Sequence, residues 1–104
     1  MKKDPEVALE VAKIFKLIKE ISPGKAVELR VPPYGAIQFG KGAVHRRGTP
    51  SNQVEMKADT LIHLAINPDS WSRLIGQGQI HGSGLTSDLS KLFVQVSAKY
   101  QAGN

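Results

Sequence analysis

The 104-residue chain carries 14 Lys and Arg against 9 Asp and Glu, a formal charge of +5 and a pI near 9.7, with 40% hydrophobic residues. This is the mix of a globular chain, long enough for one core with a modest cavity and too short for two, so residues 1–104 are expected to form one domain. The absence of cysteine excludes a disulfide framework, a thiolate metal site and a cysteine nucleophile.

The opening Met1-Lys2-Lys3-Asp4-Pro5 is basic, but Lys13, Lys16 and Lys19 interrupt the segment behind it, which argues against a signal peptide. No stretch approaches the roughly 20 apolar residues needed to span a bilayer. A soluble, cytoplasmic protein is the expectation. The basic excess raises nucleic acid or an anionic membrane surface as partners, yet Arg30, Lys41, Arg46, Arg47, Lys57, Arg73, Lys91 and Lys99 are scattered rather than clustered. An ordinary solvated surface accounts for them, and nucleic acid is not expected.

In chain order, Val7, Val11, Ile14, Phe15 and Ile18 recur at helical steps and predict an amphipathic helix over residues 5–21. Asp4 suits its N-cap, Pro5 its first position, and Ser22-Pro23-Gly24 breaks it. Val27, Leu29 and Val31 then alternate with Glu28 and Arg30, the period of a strand with one buried face. Pro32-Pro33 interrupts that strand before a second one at Ala36–Phe39. Gly40-Lys41-Gly42 predicts a turn into a return strand at Val44-His45-Arg46, followed by a polar loop. Val54, Met56 and Ala58 share one face of the next strand, and Asp59 reads as the N-cap of a short helix over Thr60–Ile66.

Asn67 is placed to cap a further short helix through Ile75, with Trp71, Leu74 and Ile75 on its buried side. Gly76-Gln77-Gly78 breaks it, Gln79–Ser83 reads as the last strand, and Thr86 caps a final helix carrying Leu89, Leu92, Phe93, Val96 and Tyr100 on one face. This order predicts an α+β fold, a mixed or mostly antiparallel sheet with helices gathered on one face.

Chemistry-bearing motifs are sparse. His45, His63 and His81 make no local spacing that places two on one helix face toward zinc, and no metal site is expected. The glycines at 76, 78, 82 and 84 lack the strand–loop–helix order of a dinucleotide site, Arg47-Gly48-Thr49-Pro50 reads as a turn, and no serine lies in a nucleophile elbow. Neither a cofactor nor a catalytic group is predicted.

The run Leu29-Arg30-Val31-Pro32-Pro33-Tyr34-Gly35-Ala36-Ile37-Gln38 resembles a motif of small bacterial proteins related to the sterol carrier protein type 2 family. His45-Arg46-Arg47-Gly48-Thr49-Pro50-Ser51-Asn52-Gln53-Val54-Glu55-Met56 is similar to a second, and Asp59-Thr60-Leu61, Leu64-Ala65, Gly78–Leu85 and Asp88-Leu89-Ser90 resemble the remaining landmarks. The resemblance implies a sheet of about five strands and an apolar cavity for a sterol, fatty acid or fatty acyl-CoA, bound without catalysis in a lipid carrier. By position it implies Leu29, Val31, Tyr34, Ile37, Phe39, Met56, Leu64, Trp71, Leu74, Ile80, Leu89 and Phe93 as the cavity wall, with Phe93, Val96 and Tyr100 as a lid. Basic residues of the first helix would meet an anionic headgroup or a membrane surface transiently. The competing expectation is a protein-interaction or dimerisation module whose core is filled.

Overall fold

A computed structural model describes residues 3–42, 52–83 and 88–103. The first helix, α1 (Pro5–Ile21), begins where expected because Asp4 caps it: its Oδ1 accepts the Glu6 N–H at 2.8 Å and the Val7 N–H at 3.4 Å. The apolar stripe of α1 buries Val11, Ile14, Leu17 and Ile18, with Val7 and Phe15 packed at its margins. After a short connection the chain enters β1 (Val27–Val31) and returns in β2 (Gly35–Phe39), in antiparallel register with Leu29 opposite Ile37. The Pro32–Pro33 bond between them is cis.

The next strand, β3 (Asn52–Met56), runs parallel to β1 on its other side, placing Val54 beside Leu29 and Glu55 beside Arg30. It leads into α2 (Ala58–Ile66), a 3-10 turn over Pro68–Ser70, α3 (Trp71–Gly76) and β4 (Ile80–Ser83). β4 pairs antiparallel with β3, so the described sheet is mixed and has four strands in the order β2-β1-β3-β4. The sequence led to about five; the remaining expected strand, Val44–Arg46, falls outside the described residues, as do Gly84 and the cap expected at Thr86. The chain closes with α4 (Ser90–Gln101).

Strand alternation sorts the side chains onto two faces. Val27, Leu29, Val31, Phe39, Val54, Met56 and Ile80 point into one buried layer with the apolar stripes of α1, α2 and α4. Glu28, Arg30, Glu55 and His81 lie on the opposite face, which carries no helix among the described residues. The result is the expected α+β arrangement, with helices on one side of the sheet. Among the described residues no helix is long and apolar enough to cross a membrane.

Five local expectations need correcting. Ala58 belongs to α2 rather than to the preceding strand, and Asp59 lies inside the first turn, where its Oδ1 accepts the N–H of Thr60 at 2.9 Å; Lys57 occupies the cap position without a side-chain cap bond. Asn67 caps nothing with its side chain, because the turn after it closes on its backbone carbonyl, which accepts the Ser70 N–H at 3.1 Å. Ile75 is 42% exposed, since the six residues of α3 bury only the Trp71 and Leu74 side. Leu89 is buried but stands just before α4.

Candidate functional site

The two faces of the sheet meet at the carboxyl ends of β1 and β3, and there the backbone leaves a cleft of about 770 Å³. Its apolar lining comes from Val7 on the first turn of α1, from Pro32, Pro33 and Tyr34 between β1 and β2, and from Met56 and Ala58 at the junction of β3 with α2. Glu55, Lys57, Asp59, Gln79 and His81 supply a polar margin. The volume lies within the range of roughly 300–1,000 Å³ common for small-molecule sites.

Local chemistry fixes these walls. The Tyr34 N–H donates to the carbonyl of Val31 at 2.8 Å, closing the β1–β2 turn. The same residue's hydroxyl accepts the Asp4 N–H at 3.0 Å, so the turn is tied to the start of α1 and holds that helix end against the cleft. On the far side the Gln79 N–H donates to the carbonyl of Leu74 at 2.9 Å, which brings the end of α3 around into β4. Glu55 and His81 are direct cross-strand neighbours, on the outer face at the rim.

Of the twelve residues expected to line a cavity, Tyr34 and Met56 border this cleft. Ile37 borders a different groove, of about 480 Å³, between α1 and β2, whose other walls are Ala12, Phe15, Lys16, Lys19 and Glu20. Leu29, Val31, Phe39, Leu64, Trp71, Leu74, Ile80, Leu89 and Phe93 are packed in the core. Trp71 and Phe93 stack there with ring centroids 6.0 Å apart and an interplanar angle of 26°. Of the three lid residues, Phe93 and Val96 are fully buried, and Tyr100 is half-buried with its hydroxyl on Glu10. Periodicity identified which residues turn inward; it carried no information about where packing leaves space. The cleft residues that it missed sit at element ends, and the available signal was the set of chain breaks at Pro32-Pro33, Lys57 and Gly76–Gly78.

A second polar cluster lies away from the cleft. His63 Nε2 is 3.1 Å from Ser70 Oγ and 3.3 Å from Arg73 Nη2, and Arg73 also donates to Ser70 Oγ at 3.1 Å. These contacts join α2, the 3-10 turn and α3 through neutral and cationic groups only. His81 stands on the sheet instead, and His45 lies outside the described residues. Among the described residues no three histidines or carboxylates gather in a group that would hold a metal ion.

The class defined by these features is a small α+β domain with a four-stranded mixed sheet, helices on one face and an open cleft at the strand ends. The family description "Bacterial SCP ortholog" matches residues 4–94, and the chain belongs to that family. A solved structure titled "UbiJ-SCP2 Ubiquinone synthesis protein" is similar in fold, with a TM-score of 0.53, 15% identity and 97% of each chain covered. Comparison with curated proteins gives no match.

Proposed function

We propose that this protein binds a lipid without covalent chemistry, seating the lipid's apolar portion in the cleft bordered by Val7, Pro32, Tyr34 and Met56. The observation that carries the reading is the cleft itself: a space of about 770 Å³ with one apolar side, at the end of a sheet whose interior is otherwise packed. Membership of the SCP family supports it. Each buried methylene contributes about 0.8 kcal/mol, so a few turns of acyl chain or one face of a sterol offset much of the cost of association. Capture and release need no catalytic residue, and the protein acts as a lipid carrier in the cytoplasm. Tyr34 and Met56 touch the ligand, whereas the packed residues expected as wall remain in the core.

The test is direct. The purified protein is extracted under denaturing conditions and the extract examined by mass spectrometry beside an unrelated basic protein. A stoichiometric acyl or sterol species confined to this protein supports the reading. A clean extract, together with no saturable binding of added amphiphiles, overturns it. The filled core favours a second reading, a protein-interaction module that needs no ligand; concentration-dependent mass on sizing would support it.

A further inference from the structure

The large cleft does not end at the sheet edge. A smaller depression of about 240 Å³ lies on the outer face of the sheet, and the two share Glu55 and His81 as a common wall. The sharing follows from register. Glu55 at the end of β3 stands opposite His81 on β4 and beside Arg30 on β1, while Met56, the next residue, turns to the other face and borders the large cleft. The two depressions therefore adjoin across Glu55 and His81 at the end of β3. The chemistry changes between them: Val7, the two prolines, Tyr34 and Met56 in the large cleft, and Arg30, Gln53, Glu55, His81 and Ser83 in the outer depression.

We propose that the outer depression is a headgroup subsite, and that it selects an amphiphile whose head is uncharged and bears hydroxyl groups. This rests on the lipid reading above and deepens it. The charge distribution carries the argument. Arg30 is already engaged by the carboxylate of Glu28, its neighbour two residues away on the same strand. Around the large cleft, Glu55 and Asp59 face the ammonium of Lys57 among the described residues. A carboxylate or phosphate head would thus enter beside the Glu55 carboxylate with no unengaged lysine or arginine in the small depression among the described residues. A hydroxylated head meets no such penalty: Glu55 accepts its O–H, Gln53 and Ser83 both donate and accept, and the remaining guanidinium N–H groups of Arg30 donate. The net charge of the whole chain favours anions at long range, but salt screens that effect beyond about 8–10 Å and leaves the local arrangement to decide.

Two probes with the same acyl chain isolate the head. Laurate and 1-monolauroylglycerol are titrated into the full chain below their self-association concentrations, with heat as the readout, for the unaltered protein and for Glu55→Gln. Because Glu55 is exposed, the expected preference is modest, about fivefold tighter binding of the monoacylglycerol. Glu55→Gln is expected to raise laurate affinity and narrow that ratio, and circular dichroism checks that the variant folds alike. Equal affinities, tighter binding of laurate, or a variant that moves both ligands together would overturn the headgroup assignment while the lipid reading stands. Failure of both probes to bind would overturn the headgroup assignment, and with a clean denatured extract the lipid reading as well.

Discussion

The hydroxyl of Tyr100 donates a hydrogen bond of 2.5 Å to Oε1 of Glu10, joining the last turns of α4 to the middle of α1. Burial, followed by the bond to Glu10 and its charge, pushes the Tyr100 hydroxyl from 10.0 up to about 12. The same bond, with Lys13 Nζ 3.2 Å from Oε2, holds the Glu10 carboxyl below its ordinary value. A raised pKa means that the folded state retains the phenolic proton better than the unfolded chain does. The Tyr100 contribution is therefore complete below pH 10 and is lost as pH rises toward about 12. Glu10 behaves in the opposite sense: its contribution is present above the ordinary carboxylate value of 4.5 and disappears as pH falls through the lowered one. Tyr100→Phe should flatten the alkaline decline and leave on the acid side only the part due to Lys13. Melting temperatures of both proteins across pH test this, and an unchanged difference at every pH would contradict it.

Phe93 lies fully buried on α4 and stacks on Trp71 of α3. If the surrounding core is as filled as its burial shows, Phe93→Ala leaves a space that the neighbours cannot close and costs about 3–5 kcal/mol. That is a large share of the stability of a domain this size. Denaturant unfolding of the variant gives the value directly. A loss near 1 kcal/mol would mean that the side chain borders a space already empty, and would return Phe93 to the wall of a hollow interior.

Much of the fold was legible because most elements repeat a simple period. α1 begins and ends as its cap and breakers indicate, β1 and the end of β3 follow from alternation, and β2 follows from the proline break before it; the helices on one face follow from the apolar stripes. The strand-to-helix junction was harder, since Ala58 continues the alternation of Val54 and Met56 and also starts α2. Ile75 was misplaced because a six-residue helix has too few turns to define a face. The cleft was legible only at Tyr34 and Met56, for it arises where the β1–β2 turn, the end of β3 and the start of β4 converge.

Gly24 shows what a breaker motif conceals. Its backbone has φ +142° and passes so close to the end of β2 that an added Cβ would stand 1.8 Å from the carbonyl oxygen of Gly40. That oxygen accepts the Ala26 N–H at 3.1 Å, and the Gly40 N–H donates to the carbonyl of Ser22 at 2.8 Å. The contact is between backbones, so no side chain can move aside. Gly24→Ala should destabilise by about 2 kcal/mol or more, through both the clash and the unfavourable φ. Gly76→Ala is the matched control. Its Cβ would meet nothing within 4 Å, and its effect should stay within about 1 kcal/mol and favour stability if anything. Equal losses in chemical denaturation would refute the close approach.

Val7, at the margin of the core, offers a way to close the cleft. It is half-buried on the first turn of α1 and faces the space between Tyr34 and Met56, so a larger side chain has room to grow into the cleft. Val7→Trp should occupy volume that a lipid would otherwise fill. Excluding two methylenes at about 0.8 kcal/mol each corresponds to roughly tenfold weaker binding. Stability should change little, because the ring replaces solvent rather than packed atoms, and the Asp4 cap and the Tyr34 hydroxyl bond remain in place. Parallel measurements of melting temperature and monolauroylglycerol affinity separate the effects. Weaker binding at unchanged stability places the ligand in this cleft; unchanged binding moves it elsewhere, with the groove between Phe15 and Ile37 the next site to block.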